Sequence, residues 1–424
     1  MATAPDYQAR YPIDFAEIDN TVRQTVVQLY AVDGGKSRGI LYMPPQGRPR
    51  TVVIMAHPRA DFGQHYSIPH WLRAGIAAFA QNTRYLNNDA MMLHENLLLD
   101  LAASIGFLRE ERNFEHIIML GNSGGGSLFA YYDTQARTPV GQRDSSPPGG
   151  GPPDLNRFNL PTADGLILLA AHPGQGKVLM GAMDASVVDE HDPYATDTAL
   201  DMYDERNGYR PPSAESRYER DWLTRYRNAQ AARVARIDAI ARAHLEESQN
   251  ARGLSKAPDF TTRSAAYRNS MQRRAMAPHI MVVYRTLANP NYLDLTLEPS
   301  ERSLGSIFAP RPDLFNYHAF GLGHVVTPDA WLSTWSGLSS NAYLARNLPH
   351  VTVPTLVVGA RADQDIFESD VRAQFEQSSA TDKRIEMITG ADHFMRVGGT
   401  KPASDDPRPR VVELLSGWVR ERFA

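Results

Sequence analysis

Residues 116–130 read HIIMLGNSGGGSLFA and place one serine, Ser123, among four glycines directly after an apolar run. The apolar run is typical of a buried strand, and the segment after the glycines is typical of a helix. Residues 121–125 match the pattern G-x-S-x-G, in which a serine occupies a strained strand-to-helix turn with its hydroxyl clear of the backbone. The stretch alone does not establish that Ser123 is a nucleophile, because glycine-rich turns after strands also cradle phosphates or allow close packing.

A phosphate site is not supported elsewhere in the chain. Residues 33–37, DGGKS, contain Gly-Lys-Ser, but Tyr30 stands where the first glycine of G-x-x-x-x-G-K is required. Residues 172–177, HPGQGK, also lack the full spacing. No segment combines G-x-G-x-x-G with an acidic residue at the end of the next strand, so the sequence disfavours nucleotide binding.

Strand-like and helix-like segments alternate on both sides of this stretch. Amphipathic helices are predicted over 92–112 and 125–136. The alternation predicts an α/β protein with a mostly parallel, doubly wound sheet covered by helices on both faces. The predicted strands are 25–32, 38–44, 51–58, 75–84, 116–120, 164–171, 353–360 and 384–388.

Two segments interrupt this pattern. Residues 138–158 are rich in Pro, Gly and Ser and predict a long surface loop. Residues 174–350 are arginine-rich and predict a mostly helical cap inserted between late strands, with a long helix over 221–247. We therefore expect a core of 1–173 and 351–424, with 174–350 as a cap over the strand ends.

The long helix carries an apolar stripe at Val234, Ile237, Ala241 and Leu245. Its arginines alternate with Asp and Glu, which favours a solvated helix face. The alternative, that some arginines face a pocket and bind an anionic substrate, stays open.

Composition limits the class of protein. The 424 residues are 42% apolar and 22% charged, as in ordinary soluble globular proteins, and the net charge of -4 disfavours a nucleic-acid binder. The absence of cysteine excludes disulfides, thiolate metal sites and a cysteine nucleophile. The first 19 residues lack the pattern of a signal peptide, and no apolar run approaches membrane-spanning length. These features predict a cytoplasmic protein with no membrane partner.

A serine nucleophile needs a base, and the base needs an orienting acid. Asp363 and Asp365 follow the predicted strand 353–360, and His393 follows a short strand and a glycine turn. We predict His393 as the base and Asp363 as the acid, with Asp365 as the alternative acid. Asp392 is interpreted as a turn residue.

Acyl transfer also needs donors for the oxyanion. The amide of Gly124 would lie at a helix N-terminus, where it can act as one donor. A second is expected after the strand that ends in AHPR, residues 56–59. Pro58 has no N–H, so Arg59 or Ala60 is the candidate, and His57 is interpreted as bracing this loop.

The segments AHPR, GNSGGG, GARAD and GADHF together resemble the α/β-hydrolase superfamily, over 26–171 and 353–418. The resemblance implies the α/β-hydrolase fold, with Ser123 as nucleophile, His393 as base and Asp363 as acid. It also implies an oxyanion hole of Gly124 with Arg59 or Ala60. This sequence departs from the pattern of the superfamily at residues 57–59, HPR, where many members have His-Gly. A large cap is similar to those of esterases and of carbon–carbon bond hydrolases acting on ring-derived compounds.

The leading hypothesis is a serine hydrolase without cofactor or metal that cleaves carboxylic esters through an acyl-enzyme. Carbon–carbon bond hydrolysis of a β-diketone-like compound, amide hydrolysis and acyl transfer use the same residues and stay open. A further alternative is a catalytically silent fold that acts as a ligand receptor. We expect a small apolar or aromatic carbonyl substrate and, by default, a homodimer.

Overall fold

The computed structural model describes residues 16, 18–211, 214–318 and 321–423. The segment on which the signal-peptide prediction depends lies almost wholly outside the described residues. No helix in the described part of the chain combines the length and apolarity that crossing a bilayer requires.

An eight-stranded sheet forms the centre of the molecule. Its spatial order is β1-β2-β4-β3-β5-β6-β9-β10, in which β2 runs antiparallel to both neighbours and every other adjacent pair is parallel. This strand order, with helices on both faces, is the α/β-hydrolase fold, and the predicted fold class is confirmed. The strands are β1 Arg23–Tyr30, β2 Lys36–Met43, β3 Thr51–His57, β4 Ala77–Asn82, β5 His116–Asn122, β6 Gly165–Leu169, β9 Thr355–Ala360 and β10 Lys383–Ile388, with the separate pair β7 Met281–Val282 and β8 Val325–Val326.

Helices cover the two faces of the sheet. The α-helices in the described part of the chain are α1 Ile68–Arg73, α2 His94–Gly106, α3 Gly124–Arg137, α4 Gln175–Ala182, α5 Arg220–Ser255, α6 Ala265–Met276, α7 Pro312–Phe315, α8 Pro328–Ala330, α9 Leu344–Asn347, α10 Glu368–Gln377 and α11 Arg408–Phe423. One face packs on α2 and α3, and the other on α1 and α11. Successive residues of β3, Val52 and Val53, enter opposite core clusters, which explains why this strand is apolar throughout.

Residues 170–354, the insertion, separate β6 from β9 along the chain. It holds α5, a helix of 36 residues, but long segments such as 183–204 and 293–311 have little regular structure. The insertion is thus less helical than its sequence predicts. In 183–204 the chain instead forms a series of Asx turns, in which a side chain accepts the N–H two residues later, at Asp189, Asp192, Asp197 and Asp201. The division into two domains stays a prediction.

The apolar stripe of α5 faces inward: Val234, Ile237 and Ala241 are buried. The interpretation of its arginines as a solvated face is wrong for Arg233, whose side chain is 1% exposed and lies 2.9 Å from the Glu190 carboxylate. The buried guanidinium is matched by a buried carboxylate and by backbone carbonyls, as burial of a charge requires.

Candidate active site

Ser123 lies between β5 and α3 in a strained conformation, with φ 54° and ψ -123°. A residue with a Cβ rarely adopts positive φ, and a serine held there presents its hydroxyl away from the backbone. The turn also needs small neighbours. A Cβ at Gly121 would lie 2.4 Å from Gly126 Cα, and one at Gly125 would lie 2.2 Å from Ala56 O. These contacts explain the glycines of the G-x-S-x-G pattern.

The structure brings Ser123, His393 and Asp363 together from three distant parts of the chain. His393 Nε2 lies 3.0 Å from Ser123 Oγ, and His393 Nδ1 lies 2.6 Å from Asp363 Oδ2. Both His393 and Asp363 are buried, so bulk water does not compete for these hydrogen bonds. The geometry is that of a nucleophile, a base and an orienting carboxylate in series.

The protonation of His393 is set by two opposing effects. Burial lowers its pKa, but the charge and hydrogen bond of Asp363, with the charges of Asp365 and Asp392, together outweigh burial and raise the pKa above the ordinary value of 6.5. The Asp363 carboxylate therefore favours the protonated form of the His393 imidazole.

Asp365, the alternative acid, does not contact His393 through a hydrogen bond. Its carboxylate accepts the hydroxyl of Tyr292 at 2.8 Å and the backbone N–H of Ile307 at 2.7 Å. Burial raises the pKa of Asp365 to about 6. This carboxylate connects the loop after β9 to the insertion.

The predicted second oxyanion donors are engaged elsewhere, which corrects the sequence prediction. The backbone N–H groups of Arg59 and Ala60 donate to His57 Nδ1 at 3.2 and 2.9 Å. Pro58 has no N–H to donate, and the next two amides turn back toward the His57 imidazole. The Arg59 guanidinium lies 3.1 Å from Asp89. Gly124 begins α3, so its N–H has no acceptor within the helix, and its role as an oxyanion donor stays a prediction.

A further histidine of the site, His172, was not among the residues predicted from the sequence. Residues 171–173 repeat the tripeptide Ala-His-Pro of residues 56–58. The two copies lie at the carboxyl ends of β6 and β3, the strands on either side of β5. The Gly174 N–H donates to His172 Nδ1 at 3.2 Å, as in the loop of His57. The repeated tripeptide at neighbouring strand ends was the available signal.

Two small cavities of about 70 and 50 Å³ meet at Ser123. Both are also bordered by Ile307 and Phe308 of the insertion. The walls are largely apolar and aromatic. They include Phe62, Tyr66 and Phe394 in the first cavity and Val178, Leu322 and Trp335 in the second.

One group of side chains in the described part of the chain has ligand atoms close enough to share a metal ion. It consists of His244, Glu247 and His279, whose atoms lie within 4.8 Å of one another. These residues belong to α5 and to the segment before β7, and none of them lines the cavities at Ser123.

No protein-family model matches the chain, and no curated protein matches its sequence. A hypothetical protein from Pseudomonas aeruginosa is similar in structure, with 13% identity, 98% of this chain and 99% of that chain covered, and a TM-score of 0.48. An α/β hydrolase from a Penicillium species has 11% identity, coverage of 94% and 98%, and a TM-score of 0.46. The esterase domain of a Rhodothermus marinus protein has 11% identity, coverage of 94% and 98%, and a TM-score of 0.42. At these values the assignment of the α/β-hydrolase fold rests on the strand order of this chain.

Proposed function

We propose that this protein is a serine hydrolase that cleaves carboxylic esters through an acyl-enzyme. The observation that carries the proposal is the 3.0 Å contact between His393 Nε2 and the hydroxyl of Ser123, held on a strained turn. The hydrogen bond of Asp363 to the other ring nitrogen supports it, because it fixes the ring with Nε2 free to accept a proton.

In the first step Ser123 Oγ attacks the ester carbonyl as its proton passes to His393 Nε2. The carbonyl oxygen becomes an oxyanion, and the charge on the imidazolium is stabilised by Asp363. Collapse of this intermediate breaks the bond to the alkoxy oxygen, which takes the proton from His393. The alcohol leaves, and the acyl group stays on Ser123.

In the second step water attacks the acyl carbon and transfers one proton to His393. A second tetrahedral intermediate forms and collapses, and Ser123 Oγ takes that proton back. The carboxylic acid leaves, and the enzyme returns to its starting state. No step needs an oxidant, a reductant or a cofactor.

Esters are proposed as the substrate because their leaving group needs only the proton that His393 already holds. Cleavage of a carbon–carbon bond produces a carbanion, which needs stabilisation by a further group on the substrate. The apolar walls of both cavities suit small acyl and alcohol groups of low polarity.

The test is hydrolysis of 4-nitrophenyl acetate and butyrate by the wild type, Ser123→Ala and Ser379→Ala. Ser379 is an exposed serine beyond α10 and serves as the matched control. We expect Ser123→Ala to lose activity by about 10⁶-fold and Ser379→Ala to keep it. Wild-type turnover by Ser123→Ala would overturn the proposal.

A further inference from the structure

The hydrogen bonds of His57 and His172 fix which ring nitrogen carries the proton. Each Nδ1 accepts a backbone N–H, from Arg59 and Ala60 in one loop and from Gly174 in the other. A nitrogen that accepts a hydrogen bond carries no proton, so each neutral ring carries its hydrogen on Nε2. Both histidines therefore present an Nε2–H donor.

Both donors converge on Gly124, the residue after the nucleophile. A Cβ at Gly124 would lie 2.8 Å from His57 Nε2 and 3.0 Å from His172 Nε2. Both rings also border the cavity that holds Ser123. The two Nε2 atoms thus lie close to the position that a side chain would take at Gly124, the residue whose amide is the predicted oxyanion donor.

Neither Nε2 has a hydrogen-bond partner among the residues that the structure describes. A third histidine of the site, His65, uses its Nε2 on Asn122 at 3.1 Å. The Nε2–H groups of His57 and His172 therefore have no acceptor among the described residues at the cavity of Ser123, where negative charge would develop during the proposed reaction. Both histidines line the cavity that also holds Ser123, so a ligand or transition state bound there can accept hydrogen bonds from them.

The environment keeps both rings neutral. Burial, then the positive charge of Arg59 and of the neighbouring histidines, lowers the pKa of His57 well below 6.5. Burial lowers the pKa of His172 to about 3. A neutral imidazole in this setting donates its Nε2–H without losing it, so the proton of Ser123 passes only to His393.

We propose that the Nε2–H groups of His57 and His172 complete the oxyanion hole together with the backbone N–H of Gly124. This inference rests on the proposed serine hydrolase function. During each tetrahedral intermediate the oxyanion accepts hydrogen bonds from these donors, and both protons stay on the imidazoles. The side chains replace the backbone amides of Arg59 and Ala60, which are held by His57 itself.

The alternative role is structural, since His57 and His172 also brace their loops through Nδ1. Asparagine and glutamine separate the two roles. In His57→Asn, the side-chain oxygen can still accept the N–H groups of the loop, but the Nε2–H is lost. In His57→Gln, the amide can reach the former position of Nε2 as a donor, but the Nδ1 acceptor is lost. The same two substitutions, to asparagine and to glutamine, separate the two roles at His172.

The experiment measures kcat, KM and melting temperature for the four variants, with 4-nitrophenyl acetate as substrate. His350→Asn, at an exposed histidine, is the control. We expect His57→Asn and His172→Asn each to lower kcat by about 10²–10³-fold with little change in KM or melting temperature. Glutamine at the same position should recover part of the lost kcat. The Ki of a trifluoromethyl ketone, which forms a tetrahedral oxyanion with serine, should rise with the loss of kcat/KM.

The outcomes distinguish this inference from the proposed function. If Ser123→Ala is inactive while both asparagine variants keep wild-type kcat, the histidines are braces only and the inference fails alone. The inference also fails if activity follows melting temperature and glutamine recovers nothing. If the variants do not fold, NMR spectroscopy of the wild type with isotopically labelled histidine tests the inference. The Nε2–H resonances of His57 and His172 should move downfield when the trifluoromethyl ketone binds, and unchanged resonances would overturn the inference.

Discussion

Asp363 accepts the backbone N–H of Asp365 at 3.0 Å on the carboxylate oxygen that His393 does not use. The N–H of Ile366 reaches the same oxygen at 3.0 Å. This turn directs Asp363 toward the base and Asp365 toward Tyr292 of the insertion. Two carboxylates only two residues apart therefore serve different parts of the molecule.

The first prediction separates these two carboxylates. Asp363→Asn should lower kcat by about 10⁴-fold, because an amide cannot stabilise the imidazolium or hold the correct tautomer. Asp365→Asn should mainly lower stability, by about 1–3 kcal/mol, because buried donors lose their charged acceptor. Steady-state kinetics and urea unfolding measure the two effects. An equal loss of kcat in both variants would show that Asp365 belongs to the catalytic residues.

The second prediction concerns pH. Only neutral His393 accepts the proton of Ser123, and Asp363 raises the pKa of His393 above 6.5 despite burial. The rate kcat/KM should therefore rise with pH along a limb whose midpoint lies above 6.5. In Asp363→Asn the nearest negative charge is gone and only the charges of Asp365 and Asp392 still oppose burial, so the midpoint should move to lower pH. A limb that does not move in this variant would assign the ionisation to another group.

The third prediction concerns Gly124. A methyl group there would lie 2.8 Å from His57 Nε2 and 3.0 Å from His172 Nε2, so Gly124→Ala must displace both rings. We expect a loss of kcat of about 10²-fold or more, as when an oxyanion donor is removed. Gly181→Ala in α4 is the matched control, because its methyl would meet nothing closer than 3.9 Å. It should keep full activity, and Gly124→Ala with wild-type kcat would contradict the proposed oxyanion hole.

The fourth prediction concerns substrate size. The cavities of about 70 and 50 Å³ are far smaller than typical sites for drug-sized ligands, which favours short acyl groups. Phe308 borders both cavities, so Phe308→Ala should raise kcat/KM for 4-nitrophenyl octanoate relative to the acetate. The ratio of the two rates is independent of how much enzyme is active. A ratio equal to that of the wild type would exclude Phe308 as a limit on the acyl group.

The sequence is enough to predict that Ser123, Asp363 and His393 come together, because each of them follows a recognisable strand. Ser123, Asp363 and His393 stand at the carboxyl ends of β5, β9 and β10, where a parallel sheet gathers its loops. Their distances follow from the fold, and local pattern was sufficient to find them.

The direction of the backbone amides after β3 could not be predicted in the same way. Whether an amide faces the substrate or a neighbouring ring depends on the path of a short loop. Here the N–H groups of Arg59 and Ala60 turn to His57. The burial of Arg233 was missed for a related reason, since its partner Glu190 lies 43 residues away in an irregular segment.

The most direct test of the account is covalent labelling of the wild type by a fluorophosphonate, followed by peptide mass spectrometry. The reagent phosphonylates a serine only where a base and an oxyanion hole activate it. We predict one label per chain on the peptide that contains Ser123, and much slower labelling in His393→Ala. A label on a different residue, or no label on a wild type that hydrolyses esters, would contradict the central claim that Ser123 is the nucleophile.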